Sequence, residues 1–432
     1  MELESKKNTR LESLIVLFIY LSIFINSYVF IKKPFELYFG YLIFIILLPI
    51  FISRYGYKRE LVTLFAILLL NGVFQILIGN NTSILFFKVF IGLILSYFFY
   101  YYVLIEFNKN IEKLFTWYLI GSFYVSIIGI VQFISFQVGF RPGYNFNWIL
   151  NKWSYAPGGL FGLRINSIFA EPTHLGAVLS PAFFISIYNL FINEPFGITR
   201  RQSLVIIIVY FLSFSGLGQL GIFLTLIFFA INFGLLRYLI LVIPVSLFLF
   251  NFLYNNVIDF RDRYDSLVGL FSGNQKFQLG KTHGSSFILY NNYHVAIESF
   301  KSNFLLGTGI GSHPIAFEKF SLAKDIKVFG LNLNSADANS MLLRLISETG
   351  LFGVLIMFYI IIKFYVKRDE KNDTYHWLVS NGILIMILLN LFRQGHYFLN
   401  GFPFFVLLYI YNSISYNKLL ENKGMITDVS KA

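Results

Sequence analysis

Three ionisable residues of different chemistry, Arg164, Glu171 and His174, lie close together directly before an apolar run at residues 175–192. Charged groups beside lipid are costly unless they meet a partner, water or a ligand. The guanidinium of Arg164 offers donors that suit a phosphate or a carboxylate, and a carboxylate such as Glu171 can act as a general base when its pKa is raised. We therefore predict that this stretch forms the water-facing rim of a site for a charged ligand. The alternative is a salt bridge between Arg164 and Glu171 that staples a loop, with His174 as a helix-start residue.

Two further pairs of ionisable residues lie in or beside the apolar blocks of the C-terminal part. Arg344 and Glu348 are four residues apart on one helical face, just after Asn339, so they can form an ion pair. Such a pair usually faces the interior of a bundle or a water-filled cavity, and stabilisation of the helix alone is the alternative. Arg393 and His396 lie in a short turn between two apolar blocks. They are candidates for ligand binding, and an anchor at the membrane interface is the alternative.

A third candidate region is the run Leu306-Gly-Thr-Gly-Ile-Gly-Ser-His313, which follows a predicted surface helix at residues 286–303. Alternating glycines occur in phosphate-binding loops, but no strand–turn–helix unit surrounds these glycines. They fit better a tight turn that another backbone approaches closely. His313 is a candidate ligand contact, and a solvated loop histidine is the alternative. No His, Asp and Glu residues show metal-ligand spacing, so we predict neither a metal nor another cofactor.

The composition predicts a membrane protein. Of the 432 residues, 56% are hydrophobic and only 13% are charged, and the mean hydropathy is +0.67; a soluble domain is about one quarter charged. The chain has no cysteine, which excludes disulfides, thiolate nucleophiles and cysteine-ligated metals. The net charge of +12 comes from basic residues scattered through short loops, a pattern typical of membrane orientation rather than of nucleic-acid binding.

Long apolar blocks predict an all-α polytopic membrane bundle of about 12 spans, because each block has about the length of a bilayer-crossing helix. A glycine-rich break at Ser215-Gly-Leu-Gly218 separates two short blocks, which we interpret as two helices. Residues 255–340, between spans nine and ten, form a large outer loop. The chain is thus divided into residues 1–254, which include an outer loop at 139–174, residues 255–340, and residues 341–432. The predicted spans are residues 14–31, 37–52, 61–78, 84–105, 114–138, 175–192, 204–214, 219–233, 238–254, 341–366, 376–392 and 402–416.

The distribution of Lys and Arg predicts the orientation. If the N-terminus is inside, the cytoplasmic connections hold most of the basic residues, whereas the short outer loops hold Lys32, Lys33 and Arg393. Residues 1–10 are charged and precede a long span without a small-residue cleavage site, so we interpret them as a cytoplasmic lead rather than a removed signal peptide. Both termini are then cytoplasmic, and the candidate residues lie in or beside segments of the outer face.

Taken together, four of these features resemble the superfamily of bacterial O-antigen polymerases and ligases (Wzy-type polymerases). They are Arg164 with Phe169-Ala-Glu-Pro172, the glycine run in the large outer loop, Asn339 with Arg344 and Glu348-Thr-Gly-Leu-Phe-Gly353, and Arg393-x-Gly395-His396. The resemblance covers about residues 164–404, and the motifs share one predicted face of the membrane.

The resemblance implies an integral-membrane glycosyltransferase that works without a metal on glycans linked to undecaprenyl diphosphate. A polymerase moves the growing chain onto the next lipid-linked repeat unit at the outer face of the bacterial cytoplasmic membrane, in the synthesis of capsule, exopolysaccharide or the O-antigen of lipopolysaccharide. Its partners would be the lipid-linked donor and acceptor, membrane lipid and a chain-length regulator, and no nucleic acid.

The resemblance also implies roles for the candidate residues. Arginines on the outer face would neutralise the diphosphate and stabilise the leaving group. A carboxylate or imidazole would take a proton from the attacking sugar hydroxyl; this is Glu171, with His174 or His313 as rivals. The substrate-binding candidates are Arg164, Asn339, Arg344, Glu348, Arg393 and His396.

Two alternatives to a polymerase stay open. Ligases of the superfamily, which move the finished chain onto a lipid core, carry a histidine directly before the asparagine of the loop-to-span motif, whereas Ala338 precedes Asn339 here. This difference disfavours a ligase. A transporter or flippase of the lipid-linked glycan would need charges along a central path, whereas the N-terminal spans hold almost none.

Overall fold

A computed structural model describes residues 2–32, 36–235, 237, 242–256, 258–274, 282–323, 333–369 and 374–422. These residues are predominantly helical, and one small antiparallel hairpin pairs β1 (Val29–Ile31) with β2 (Leu37–Tyr38). The start of predicted span nine, residues 238–241, lies outside the described residues. The helices are α1 (Glu2–Phe24), α2 (Phe39–Tyr55), α3 (Arg59–Leu77), α4 (Ser83–Glu106), α5 (Ile111–Gln137), α6 (Arg141–Tyr144), α7 (Pro172–Phe191), α8 (Arg200–Leu212), α9 (Gly216–Asn232), α10 (Val242–Asn256), α11 (Ile258–Phe271), α12 (Gly284–Ser302), α13 (His313–Phe320), α14 (Met341–Lys363), α15 (His376–Arg393) and α16 (Phe402–Asn422).

Six helices of the described residues are long and apolar enough to cross a membrane, namely α3, α4, α5, α7, α14 and α15. Shorter apolar helices are Glu12–Phe24, α2 and α9. Many large apolar side chains on α2 and α3 are exposed, such as Ile46 at 64% and Leu70 at 71%, as expected of a surface that meets lipid rather than water. The prediction of an all-α membrane protein is confirmed at this level. The twelve spans and the large outer loop stay predictions.

Two helix boundaries agree with their local sequence signals. α7 begins at Pro172, and Glu171 before it has an extended backbone, as proline at the first helical position predicts. The predicted split between spans seven and eight is also present, because α8 ends at Leu212 and α9 starts at Gly216. The hydroxyl of Ser215 accepts a hydrogen bond from the Gly218 N–H at 3.1 Å, and this N-cap starts the second helix.

The helices α7 and α15 lie at the centre of the bundle. In the most apolar 18-residue stretches of α7 and α15, 72% and 83% of the residues are buried, whereas 22% are buried in that of α3. They approach closely at Gly382 of α15, where an added Cβ would lie 3.3 Å from the Pro181 backbone of α7. Small residues at such a crossing let two helix backbones come together. The segments before α7 and after α15 therefore extend from the two most buried of the six membrane-length helices described.

The helix α14 is interrupted at Gly350, whereas the sequence predicts one continuous span over residues 341–366. Gly350 has a φ of 62° and a ψ of −155°, which is far from helical. Backbone groups freed by the interruption bind the glycine run and the residues just before it. The Leu351 N–H donates to the Phe304 carbonyl at 2.9 Å, and the Gly309 N–H donates to the Glu348 carbonyl at 2.8 Å. A helix at membrane depth tolerates such a break only where other groups replace the lost hydrogen bonds.

The glycine run packs tightly between α14 and α4. Gly307, Gly309 and Gly311 have φ values of 65°, 91° and 83°, a region in which residues with a Cβ are strained. An added Cβ at Gly307 would lie 2.5 Å from the Glu348 backbone, and one at Gly311 would lie 2.5 Å from the Leu85 carbonyl oxygen. The predicted tight turn with close backbone approach is confirmed. The predicted helix at 286–303 is α12, but it is not confined to the surface, because it packs against α14.

The connecting segments form two groups, separated by the length of the long helices. In one group, the side chain of Asn151 binds the backbone of Val29, and the Ile165 N–H donates to the Leu212 carbonyl. In the other group, Nη1 of Arg54 lies 2.9 Å from Oε1 of Glu106. The first group contains the hairpin β1–β2, the loop between α5 and α7, and the glycine run, which binds the turn before α4. The candidate residues lie at this end.

Candidate functional site

The loop that leads into α7 is held by buried amide side chains. Gln132 of α5 accepts a hydrogen bond from the Ser167 N–H at 2.8 Å and donates to the Asn166 side chain at 3.0 Å. Asn166 donates in turn to the Phe169 carbonyl at 3.0 Å. Gln132, Asn166 and Ser167 are all 0% exposed. Because a satisfied buried network rigidifies its surroundings, the end of the loop is held firmly against α5.

The candidates Glu171 and His174 lie at the start of α7. Glu171 is exposed, and its carboxylate accepts a hydrogen bond from the Thr173 hydroxyl at 3.1 Å. His174 is half-buried, and it lies within electrostatic reach of the ionisable groups of Glu171, His396 and Asp337. The first turn of α7 therefore belongs to the same electrostatic environment as the segments on both sides of α14 and α15.

The ion pair between Arg344 and Glu348 is formed, and it is buried. The side chains are 5% and 0% exposed, and Nε of Arg344 donates to Oε1 of Glu348 at 2.8 Å. Nη1 donates to the Gly395 carbonyl at 2.8 Å, while the Tyr397 hydroxyl donates to the second Glu348 oxygen at 3.0 Å. Burial and the Glu348 carboxylate hold the pKa of Tyr397 well above its ordinary value, so this hydroxyl keeps its proton. The pair thus braces the turn after α15 against α14.

His313 is buried at 0% exposure, so the alternative of a solvated loop histidine is wrong. Its Nδ1 lies 3.1 Å from the Ser347 hydroxyl and its Nε2 lies 3.1 Å from Oδ1 of Asn292. Burial, reinforced by the nearby Arg344 cation, lowers the pKa of His313 to about 3. The imidazole is therefore neutral, and both of its nitrogens bind protein groups that join α12 to α14.

A buried neutral histidine makes stability depend on pH. In the unfolded chain His313 takes up a proton below about pH 6.5, whereas in the folded protein it stays neutral down to about pH 3. Acidification within that window therefore favours the unfolded chain, by up to about 1.4 kcal/mol per pH unit. We expect the stability advantage of the wild type over His313→Gln to shrink as the pH falls from 6.5 towards 4, measured by unfolding in detergent. A difference that is constant over this range would contradict the neutral state of His313.

A carboxylate and an imidazole meet where the segment before α14 faces the turn after α15. Nε2 of His396 lies 3.1 Å from Oδ2 of Asp337, and the two side chains are 32% and 16% exposed. The other Asp337 oxygen accepts the Asn339 N–H at 3.0 Å. Burial opposes ionisation of Asp337, yet His396 and the Asn339 amide hold the pKa of Asp337 below its usual value. Burial lowers the pKa of His396, an effect that Asp337 partly offsets, so a neutral imidazole faces a carboxylate at neutral pH.

Arg393 ends α15 beside charges from two other elements. It is partly exposed, and both the guanidinium of Arg263 on α11 and the carboxylate of Glu171 act on it. Arg263 itself is exposed. Two guanidinium groups in electrostatic contact repel each other, and a planar fork of donors suits an oxyanion. This corner of the site is therefore suited to a ligand with concentrated negative charge.

The hairpin β1–β2 adds charged groups that the sequence reasoning missed. Nζ of Lys152 lies 2.7 Å from Oε2 of Glu36 and 2.7 Å from the Tyr38 hydroxyl. The Tyr38 hydroxyl also donates a hydrogen bond to Glu36. The charge of Lys152 reaches both His174 and His396. Glu36 and Tyr38 lie beside the predicted turn between the first two spans.

The structure joins eight of the predicted site residues into one connected set: Glu171, His174, His313, Asn339, Arg344, Glu348, Arg393 and His396. Asn339 belongs to it through Asp337, which the sequence reasoning also missed although it lies two positions away. The backbone N–H of Arg164 donates to the Ala156 carbonyl at 2.9 Å, and the aliphatic part of its side chain packs near Gly159. Within the described ranges, no group of three or more His, Cys, Asp or Glu side chains is arranged to hold a metal ion.

No family model matches this chain, and no curated protein matches it in a sequence comparison.

Proposed function

We propose that the chain is an integral-membrane polysaccharide polymerase, similar to the O-antigen polymerases, that transfers a growing glycan from undecaprenyl diphosphate onto the next lipid-linked repeat unit. The observation that carries this proposal is that Arg393 and Arg263, which interact electrostatically, lie at the same end of a bundle of membrane helices as the contact between Asp337 and His396. The apolar bundle suits the polyprenyl tail, and the paired guanidinium groups suit the diphosphate.

The reaction needs charge stabilisation and the removal of one proton. The hydroxyl oxygen of the acceptor sugar attacks the anomeric carbon of the donor glycan, and the bond from that carbon to the diphosphate oxygen breaks. The electron pair of this bond leaves with undecaprenyl diphosphate, and the hydroxyl proton passes to a base on the protein. Arg393 and Arg263 stabilise the negative charge that develops on the leaving group. Arg344 holds the turn that carries Arg393 and His396, because its own charge is already paired with Glu348.

The proposal includes the twelve-span topology, with both termini in the cytoplasm and the site at the outer face of the bacterial cytoplasmic membrane. What supports this topology is the grouping of segments: the loop before α7, the glycine run and the turn after α15 lie at one end, as alternating spans require. Ala338 is buried at 0% exposure, so the position that holds the characteristic histidine of ligases carries no side chain able to accept a proton.

Replacing Arg393 by alanine tests the proposal. We expect polymer lengthening by purified protein on lipid-linked repeat units to fall by about 10²-fold, the usual loss when one electrostatic contact to a transition state is removed. Arg141→Ala, which removes an exposed arginine of the loop between α5 and α7, is the control and should leave the rate unchanged. Equal loss in both variants, or normal lengthening by Arg393→Ala with equal membrane insertion, would contradict the proposed role.

One observation favours a transporter of the lipid-linked glycan as a second candidate. Discontinuous helices with ionisable residues beside the break are typical of transporters, and α14 breaks at Gly350, two residues after Glu348. The two functions separate in detergent, where no compartments exist. Purified protein that lengthens lipid-linked glycans there is a polymerase, whereas protein that binds them and lengthens none supports the transporter.

A further inference from the structure

The contact between Asp337 and His396 depends on a close approach of two backbone segments. The two residues come from segments separated by both α14 and α15. An added Cβ at Gly395 would overlap the Asp337 carbonyl, so only glycine at position 395 lets the two segments meet. The Gly395 carbonyl is fixed by Arg344. Because Gly395 is held in this position, the next residue, His396, lies beside Asp337.

The backbone on the Asp337 side is strained. Ala338 and Asn339 have φ values of 57° and 53°, and residues with a Cβ seldom occupy this left-handed region. Two such residues in succession persist only where the surroundings over-determine them, which is common at functional sites. Here the turn bends the chain so that the Asn339 N–H binds one oxygen of Asp337 and the second oxygen faces His396.

The geometry also argues against two of the three candidate bases, His313 and Glu171. His313 is fully buried and both of its nitrogens face protein groups, so a sugar hydroxyl cannot reach it. Glu171 is exposed beside Arg393, where its charge would oppose a bound diphosphate. His396 is one-third exposed, and its Nε2 faces a carboxylate, which leaves Nδ1 for another partner.

We infer that His396 is the base that removes the proton from the acceptor hydroxyl and that Asp337 orients its ring. This assignment rests on the proposed glycosyl transfer. With the Nε2 proton directed at Asp337, the lone pair of Nδ1 receives the hydroxyl proton while the hydroxyl oxygen bonds to the anomeric carbon, and Asp337 stabilises the imidazolium that forms. His396 is then a catalytic residue and Asp337 a positioning residue.

The charges around His396 set the pH range in which its ring can accept a proton. Asp337 and Glu36 favour the protonated ring, whereas Arg344 and Lys152 oppose it, and His174 on α7 is a further titratable neighbour. Burial outweighs the carboxylates, so the ring is uncharged and able to accept a proton at neutral pH. The rate of lengthening should therefore be high at neutral pH and fall on acidification, with a midpoint below about pH 6.5.

The test measures lengthening by the purified full chain on lipid-linked repeat units as a function of pH. His396→Gln should lower the rate by about 10³-fold and abolish the acid limb of the profile. Asp337→Asn removes a charge that favours protonation, so it should lower the rate and move the acid limb to lower pH. His396→Ala should recover activity when free imidazole is added. His294→Gln, on a half-buried histidine of α12, is the matched control and should behave as the wild type.

A rate for His396→Gln within threefold of the wild type, or an acid limb that persists in this variant and disappears in Glu171→Gln or His174→Gln, would overturn the assignment. An Asp337→Asn profile with an unshifted acid limb would overturn the positioning role of Asp337. A wild-type protein that does not lengthen lipid-linked glycans contradicts the proposed function itself, which is a different outcome from an active His396 variant.

Discussion

Replacing Glu348 by alanine is expected to destabilise the folded protein by about 3–5 kcal/mol, because it leaves the guanidinium of Arg344 buried without a counter-charge. Arg344 is 5% exposed and Glu348 is 0% exposed, so water cannot replace the lost carboxylate. The Tyr397 hydroxyl, which donates to Glu348, loses its acceptor in the same variant. The measurement is the free energy of unfolding in detergent, or the unfolding midpoint where unfolding is irreversible.

Two variants show whether burial is the cause. Glu298→Ala breaks the exposed pair between Glu298 and Lys301 on α12, and it should cost far less stability than Glu348→Ala, because water screens an exposed pair. The double variant Arg344→Met with Glu348→Leu removes both charges and should recover most of the lost stability. It should still impair polymer lengthening, because the Gly395 carbonyl loses its anchor. Equal costs for Glu348→Ala and Glu298→Ala would show that the Arg344–Glu348 pair is solvated.

The parts of the fold that depend on local sequence are predictable from it. Apolar blocks indicate the helices, since burial in lipid needs only length and composition. Pro172 marks the start of α7, and Ser215 marks the start of α9, because capping and proline effects act within one turn. The positive φ angles of the glycine run follow from its composition. Each of these features is decided by residues that are neighbours in the chain.

The features that the sequence did not reveal depend on contacts between distant segments. Asp337 meets His396 only because Gly395 permits the approach, and Lys152 meets Glu36 only because the hairpin β1–β2 packs on the loop before α7. Burial of His313 depends on Ser347 and Asn292 from two other helices. The spacing of Arg344 and Glu348 predicts their ion pair. It does not predict that the Gly395 carbonyl and the Tyr397 hydroxyl also bind this pair. A pattern of residue types identifies the groups, whereas tertiary contacts decide which of them stay open to a ligand.

The interruption of α14 leads to the second large expected effect. An alanine at Gly350 would have to adopt a φ of 62°, which costs a residue with a Cβ about 1–2 kcal/mol. Its Cβ would also lie 2.6–2.7 Å from the Gly307 nitrogen and from the carbonyl oxygens of Leu305 and Phe304. These are backbone atoms, so they cannot rotate away as a flexible side chain would. We therefore expect Gly350→Ala to lower stability by about 3 kcal/mol or more, the range of severe backbone and packing defects.

The matched control is Gly216→Ala at the start of α9, where an added Cβ meets nothing within 4 Å. Alanine is the better helix former, so this variant should be neutral or stabilising by up to about 1 kcal/mol. The measurement is the unfolding midpoint of each variant in detergent, compared with that of the wild type. If Gly350→Ala is as stable as the wild type, α14 can run straight and the glycine run need not hold it open. If it is destabilised as expected, the glycine run and the break form one unit. That unit places Glu348, and through it Arg344 and the turn that carries His396.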